Sequence, residues 1–331
     1  MNLRRISIIY LIILSIFSLF IGAINFNLID LFNNSENLET LLISRLPRLI
    51  TVLLTAMALS TAGLMMQKLT MNNFVSPSTG ATISSSQLGI AISLVFLPNS
   101  SLLFKSIFSF TFSIIGTLVF VYFVNKMNFR NKVMVPLVGI MFSFIISGIT
   151  SFLSYKYEFS QAISTWLIGS FSLILRGRYE ILMITLPLFV ISIIFANHFN
   201  IVSMGRAMAS NLGVSYNKIL TLGLIISSVL TASTVVVVGS ISYIGLIIPN
   251  IVSIYKGDNI KDTLFDVNLL GMCYLLTCDV ISRLIIKPYE LPVGLVSGIL
   301  GSIIFIFLIF KKLKIKPFLK LGMIKKVGLY D

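Results

Sequence analysis

Residues 49–66, LITVLLTAMALSTAGLMM, form an uncharged run of eighteen residues that follows the tetrapeptide Arg45-Leu46-Pro47-Arg48. A helix of about 20 mainly apolar residues is long enough to cross the hydrocarbon core of a bilayer. We therefore predict that this run is a transmembrane helix, entered through two arginines. The run sets the fold class, because similar apolar runs recur along the whole chain.

Ten such runs, each bounded by charges or turn residues, predict ten transmembrane helices. They lie at residues 6–24, 49–66, 80–97, 102–124, 133–154, 181–197, 219–238, 241–255, 264–286 and 291–310. No stretch between them is long enough for an enzyme domain. The predicted fold is an all-α polytopic membrane protein, with one transmembrane domain over residues 1–331 and both termini in the cytoplasm.

The composition supports a membrane protein and excludes soluble and disordered chains. Hydrophobic residues make up 56% of the 331 residues and charged residues 11%, whereas soluble domains carry about 25% charged residues. The net charge of +14 comes from 25 Lys and Arg against 11 Asp and Glu. With ten spans, 17 of these 25 bases fall on the cytoplasmic side, which agrees with the positive-inside rule. The charge therefore reflects topology, and no nucleic-acid partner is predicted.

Residue types needed for catalysis or metal binding are scarce. The chain has one histidine, His198, and two cysteines, Cys273 and Cys278, which lie in an apolar run and are predicted to be buried thiols. It contains neither a G-x-x-x-x-G-K-[ST] phosphate-binding loop nor an H-E-x-x-H zinc motif. We therefore predict no catalytic residue, no metal ligand and no cofactor.

Ionisable residues inside predicted spans are the usual pointers to function in membrane proteins, and here they are few. Asp279 and Lys105 lie near the outer ends of their spans. Asp279 stands four residues before Arg283, a spacing that allows an ion pair on one helix face. Because a proton-coupled carrier usually needs several buried acids, an ion-coupled secondary transporter is the weaker alternative.

Small residues recur every four positions in the predicted span 133–154, at Gly139, Ser143, Ser147 and Ser151. Close helix packing explains such a stripe. A smooth, hydrogen-bonding wall for a bulky solute explains it equally well. We keep both interpretations, and Ser143 and Ser147 are the candidate pathway residues.

Arg45 and Arg48 are unexpected, because the topology places them on the side where bases are rare. Their charged heads could reach lipid headgroups from the helix end. Alternatively, their planar donor groups could anchor an acidic partner outside the cell.

Six segments, taken in their order along the chain, resemble permease subunits of the ABC importers for iron-siderophores and cobalamin. They are Arg45-Leu-Pro-Arg48, Leu64-Met-Met-Gln67, Asn211-Leu-Gly-Val214, Gly245-Leu-Ile-Ile-Pro249, Cys278-Asp-Val-Ile-Ser-Arg283 and Glu290-Leu-Pro-Val-Gly294. The chain departs from the commonest pattern at residues 72–77 and at Asn250, where the family usually has His. These departures, together with residues 255–259 and 176–180, resemble a branch that serves catecholate siderophores.

The resemblance implies a transport subunit in the bacterial plasma membrane rather than an enzyme. Two permeases, identical or paralogous, would form the pathway within membrane lipid, and two cytoplasmic ATPases would drive alternating access. An extracellular binding protein would deliver the ferric siderophore and dock on Arg45, Arg48 and Arg283. Cobalamin or haem import is the runner-up within this class.

The resemblance also assigns the cytoplasmic connection. Residues 198–218 would be the coupling segment that inserts into the ATPase. Its key positions are Gly205, Asn211, Leu212, Gly213 and Val214. Gly213 is expected to end a short helix in the left-handed conformation. Residues 71–78 and 127–132 resemble inner gate regions.

Overall fold

The computed structural model describes residues 3–21, 39, 41–126, 134–286 and 289–312, and these ranges contain helices and no strand. The α-helices, numbered in chain order, are α1 Leu3–Phe20, α2 Leu46–Leu69, α3 Thr82–Phe96, α4 Leu102–Lys126, α5 Met134–Lys156, α6 Ser160–Leu167, α7 Thr185–Ile194, α8 Ala196–Ser203, α9 Arg206–Asn211, α10 Tyr216–Val237, α11 Ile244–Lys256, α12 Ile260–Leu284 and α13 Val293–Lys312. A π-helical turn, Leu41–Arg45, leads into α2, and a 3₁₀ turn, Glu180–Ile184, leads into α7.

Helix α2, the run that decides the fold class, is the centre of the molecule. With its π-helical turn it forms a 29-residue span whose most apolar window is 89% buried inside the protein. It packs against α10, α11 and α12. Small residues such as Ala62 and Gly63 allow the neighbouring helices to approach it closely. In contrast, the corresponding windows of α5 and α13 are each 22% buried.

Close approach of backbones holds the core helices together. A Cβ atom placed on Gly63 of α2 would lie 2.1 Å from the carbonyl oxygen of Gly245 on α11. A Cβ atom on Gly271 of α12 would lie 2.0 Å from the Ser60 Oγ of α2. Glycine is therefore required at these crossings, as is common in helix pairs within membranes.

The described residues contain six helices long and apolar enough to cross a membrane: Leu41–Leu69, Leu102–Lys126, Met134–Lys156, Tyr216–Val237, Ile260–Leu284 and Val293–Phe310. A seventh results if the bent pair Glu180–Ile194 and Ala196–Ser203 counts as one span. The remaining predicted positions coincide with α1 and with the shorter helices α3 and α11. The all-helical membrane fold is therefore confirmed, whereas ten spans and cytoplasmic termini stay predictions.

The predicted span 181–197 contains a break near its end, because its helix bends by 63° at Phe195. The bend directs α8 into the core, where Ala196, Phe199 and Val202 are buried. Burial of these apolar side chains favours the bend over a straight continuation. The predicted gate loop 127–132 lies outside the described residues.

Candidate functional site

The three predicted docking arginines lie in one group of charged residues. We call Arg45, Arg48, Asp279, Arg283 and Glu290 the arginine cluster. The π-helical turn and the first turn of α2 supply two arginines, the end of α12 supplies the third arginine and the aspartate, and Glu290 precedes α13. The charges sum to +1 over these five residues, so the cluster is nearly neutral.

Asp279 is the buried centre of the cluster and holds two arginines at once. Its Oδ1 accepts hydrogen bonds from Arg48 Nη2 at 2.9 Å and Arg48 Nε at 3.2 Å. Its Oδ2 accepts a hydrogen bond from Arg283 Nη2, so the ion pair predicted from the four-residue spacing is confirmed. A buried carboxylate needs such partners, because leaving its charge unpaired away from water is costly.

Glu290 closes the cluster on its more exposed side. Arg48 Nη1 donates hydrogen bonds to Glu290 Oε2 at 2.8 Å and to Oε1 at 3.0 Å, and Ser172 Oγ donates to Oε2 at 2.8 Å. Burial alone would raise the pKa of Glu290, but the charge and hydrogen bonds of Arg48, with the Ser172 hydroxyl, hold it below its ordinary value. Neither contact was predicted from the sequence. No motif contains Ser172, and Glu290 was considered only as the first residue of the motif Glu290-Leu-Pro-Val-Gly294.

Two of the arginines also cap the end of α1. Arg45 Nη1 donates to the Leu19 carbonyl at 2.6 Å. Arg283 Nη1 donates to the Ser18 and Ile21 carbonyls, each at 2.9 Å. The last carbonyls of a helix lack partners within the helix and attract positive charge. The positive-inside rule does not explain arginines on the outer side, and these contacts give Arg45 and Arg283 a structural role at the end of α1.

The three arginines differ in accessibility. The side chains of Arg48 and Arg283 are 11% and 5% exposed, and Arg45 is less deeply buried than either of them. In this conformation Arg45 therefore offers the most surface to a partner.

The predicted coupling segment, residues 198–218, contains most of α8, all of α9 and the start of α10. Gly205 and Gly213 flank α9 with φ of +102° and +71°, so the left-handed conformation predicted for Gly213 is confirmed. The Gly213 amide donates to the Ser210 carbonyl at 3.1 Å, and the Val214 amide donates to the Ala209 carbonyl at 2.9 Å. This pair of bonds is a Schellman motif, which ends a helix and reverses the chain.

Apolar side chains on this segment face outward. Met204, Met208 and Leu212 are 64%, 45% and 55% exposed. Met208 lies within α9, Met204 lies in the connection before it, and Leu212 follows its last residue. Asn211 is exposed beside them. The segment therefore presents an apolar surface that the other described residues do not cover.

The predicted pathway serines lie on α5, most of which is exposed. Ser143 and Ser147 are half-buried, and Ser143 Oγ donates to the Gly139 carbonyl at 2.9 Å. A Cβ atom placed on Gly139 would lie 1.9 Å from the Thr79 carbonyl oxygen, so close packing explains this member of the stripe, whereas Ser151 at the other end is exposed. The stripe thus begins in a packed contact and continues on an open face.

Two amide side chains join α11 to the end of α2 and to the predicted gate region 71–78 that follows it. Gln67 Nε2 donates to the carbonyls of Gly245 and Leu246 at 3.0 and 3.1 Å. Asn250 Nδ2 donates to the Asn73 carbonyl at 2.8 Å. Asn250, which departs from the commonest family pattern, therefore contacts the other departing segment.

The described residues hold no group of three or more His, Cys, Asp or Glu side chains that could bind a metal ion. Cys273 and Cys278 are buried and free, as predicted.

Comparison with known proteins agrees with this arrangement. Residues 10–311 match the FecCD transport family. The chain is 42% identical to the petrobactin import system permease protein of Bacillus subtilis, over 94% of this chain and 99% of that protein. It is 39% identical to the ferric-anguibactin transport system permease protein of Vibrio anguillarum, over 90% of this chain and 95% of that protein.

A solved structure shows the same fold. It is an inward-facing conformation of a metal-chelate type ABC transporter, with a TM-score of 0.79 and 26% identity over 92% of this chain and 97% of that chain. The resemblance inferred from the six segments is therefore confirmed. The chain belongs to the FecCD transport family and is a membrane-embedded permease subunit of an ABC importer, not an enzyme.

Proposed function

We propose that this permease carries ferric siderophores of the catecholate type across the bacterial plasma membrane. The observation that carries the proposal is the near full-length similarity to the permeases for petrobactin and anguibactin. A siderophore wraps its iron, so the pathway needs no iron ligands from the protein. Alternating access is powered by ATP hydrolysis on partner subunits, and this chain itself holds no cofactor.

The pathway forms between two permease subunits, either identical or paralogous. Two ATPases bind at the cytoplasmic side, and an extracellular binding protein delivers the siderophore. Support comes from α5, because a helix with small polar residues at regular spacing turns most of its surface away from its own chain. Ser143 and Ser147 stand on this helix and are proposed to line the pathway.

The binding protein docks at the arginine cluster. Carboxylates on the binding protein meet Arg45 first, since it is the most accessible of the three arginines. Arg48 and Arg283 lie behind it and add to the local positive potential, which speeds encounter and sets orientation. Their enclosure by Asp279 and Glu290 keeps the guanidinium groups in place before docking.

The coupling segment inserts into the ATPase. Its exposed Met204, Met208 and Leu212 form an apolar ridge, and Met side chains adapt readily to a partner surface. Gly205 and Gly213 set the angle of α9, while Asn211, Leu212 and Val214 lie at its end.

Uptake by the reconstituted complex tests the proposal. The complete complex, with its partner permease, ATPase and binding protein, is placed in proteoliposomes and supplied with radiolabelled ferric petrobactin, haemin or cobalamin. We expect uptake of ferric petrobactin that requires ATP and survives an ionophore. Exclusive uptake of haemin or cobalamin contradicts the siderophore assignment, and uptake that collapses with the ionophore while ATP is maintained indicates a secondary transporter.

A further inference from the structure

Asn200 joins the coupling segment to the first turn of α12 with both ends of its side chain. Its Nδ2 donates to Asn259 Oδ1 at 2.5 Å, and its Oδ1 accepts from the Ile260 amide at 2.8 Å. Asn259 is the N-cap of α12 and accepts a hydrogen bond from the Lys261 amide at 3.1 Å. Asn200 therefore shares the cap of a helix to which it is not joined in sequence.

The short connection between α11 and α12 is held by other groups as well. Lys68, at the end of α2, pairs with Asp258, and Ser253 Oγ donates to the same carboxylate at 2.6 Å. Asn259 Nδ2 donates to Asp262 Oδ2 at 2.7 Å. Because these contacts come from α2, α11 and α12, Asn200 is the residue that brings the coupling segment into this set of described contacts.

Helix α12 is suited to carry a displacement along its length. Its 25 residues, Ile260–Leu284, span about 37 Å at 1.5 Å per residue. Two thirds of its most apolar window is buried, and it packs along α2, where Thr61 Oγ1 donates to Asn268 Oδ1 at 3.0 Å. At its far end, Asp279 and Arg283 belong to the arginine cluster.

Helix α8, which carries Asn200, leads directly to α9 through Met204 and Gly205. Phe199 and Val202 anchor α8 in the core from the opposite side. A movement of α9 therefore reaches the N-terminus of α12 through the paired amide contacts of Asn200.

We propose that Asn200 is a positioning residue that transmits movement of the coupling segment to α12, and through α12 to the arginine cluster. The proposal rests on the assignment of residues 198–218 as the segment that the ATPase moves. In this proposal, movement passes between the ATPase and the binding-protein site through the side chain of Asn200 and helix α12.

Distance measurements between spin labels test this in the complete complex. One label pair, at Lys126 and Ser210, follows α9, and a second pair, at Leu103 and Ile286, follows the far end of α12; all four positions lie in exposed or half-buried parts of the structure. In the wild type we expect ATP to shift both distances. In Asn200→Ala we expect the ATP-dependent change in the Lys126–Ser210 distance to remain and the change in the Leu103–Ile286 distance, here called the far shift, to be lost. Transport per ATP hydrolysed should fall about tenfold, which is within the usual range of coupling between sites.

Two variants separate transmission from simple stabilisation. Asn200→Asp keeps the acceptor for the Ile260 amide, and a carboxylate is favourable at a helix N-terminus, so the far shift should return. Asn99→Ala changes an exposed asparagine outside the coupling segment and should change neither shift.

The outcomes are distinct. An unchanged far shift in Asn200→Ala overturns the transmission role alone, as does an equal loss in Asn99→Ala. If ATP shifts neither distance in a wild-type complex that hydrolyses ATP, the coupling assignment fails and the role of Asn200 fails with it.

Discussion

The two ends of α12 solve different physical problems. At the Arg283 end, buried charges hold one another, and Arg48, Asp279 and Glu290 complete the set. At the Ile260 end, neutral amides form the cap beside the ion pair of Lys68 with the largely exposed Asp258, and the neighbouring coupling segment leaves Met208 and Leu212 exposed. Residues whose buried charges pair with one another stabilise the fold and are not free to bind a partner, whereas exposed apolar side chains remain available to one. A partner surface is therefore easier to identify at the coupling segment than at the arginine cluster.

The largest expected effect breaks the charged end. Asp279→Asn leaves Arg48 and Arg283 without their buried anion, and losing one partner of a buried ion pair costs about 3–5 kcal/mol. We expect a large drop in the unfolding temperature of the purified protein in detergent. Glu158→Gln, which changes an exposed carboxylate, is the matched control. An unchanged unfolding temperature in Asp279→Asn would show that the cluster does not stabilise the fold.

The next prediction concerns the coupling segment, which contacts the Ile260 end of α12. Gly213→Pro removes the bond from the Gly213 amide to Ser210 and forbids the φ of +71°. We expect loss of coupled ATP hydrolysis and transport while the permease still inserts in the membrane. Gly177→Pro applies the same backbone change at a φ of +97° outside the segment and should preserve coupling. Normal coupling in Gly213→Pro contradicts the assignment of the segment.

A smaller effect concerns the core between the two ends. Gly63→Ala forces α2 and α11 apart, because the new Cβ would meet the Gly245 backbone at 2.1 Å. Overpacking of this kind costs about 1–3 kcal/mol. Gly298→Ala, with nothing within 4 Å of the new Cβ, should be neutral or slightly stabilising. Thermal unfolding of both variants compares them, and equal stability would contradict the tight crossing.

The next prediction tests whether Arg45, in the arginine cluster, contacts the binding protein. Arg45→Glu reverses the most accessible charge of the cluster, so we expect about tenfold weaker association with the binding protein and a shallower loss of affinity with added salt, because fewer attractive pairs remain to be screened. Surface plasmon resonance on the purified complex measures both. Arg176→Glu changes an exposed arginine outside the cluster and serves as the control. Equal affinities for wild type and Arg45→Glu place the docking surface elsewhere.

The smallest effect is a dependence on pH. The pKa of Glu290 lies below its ordinary value in the folded protein, so its ionised form stabilises the fold above about pH 4.5, the ordinary value. This contribution is lost as the pH falls through the lower, folded value. Because Glu290 is half-exposed, we expect less than about 1 kcal/mol. The difference in unfolding temperature between wild type and Glu290→Gln should shrink in acid, and a constant difference contradicts the ion pair.

Much of the fold could be predicted from apolar runs. Predicted spans 102–124 and 219–238 end within a few residues of Leu102–Lys126 and Tyr216–Val237. The bend at Phe195 could not be predicted, because no proline or glycine marks it and it depends on burial of Phe199 in the core. Helix type follows from local pattern, whereas the direction of a helix follows from what it packs against.

The same division applies to the candidate site. The pair of Asp279 with Arg283 follows from a spacing of four residues on one helix. The pairs of Arg48 with Asp279 and Glu290 join residues 231 and 242 positions apart. Likewise, the left-handed Gly213 was predictable from a local motif, but the contact of Asn200 with the cap of α12 was not.

Apolar runs, charge bias and short motifs are local properties of the chain, and they are enough to identify a helical membrane protein of the FecCD transport family. The use that the protein makes of its charges depends instead on how the helices pack. Arginines that stand against the positive-inside rule proved to be partners for buried carboxylates and for the carbonyls at the end of α1. The physical reason is that a buried charge must find its counter-charge in space, and distance along the chain does not constrain where that partner lies.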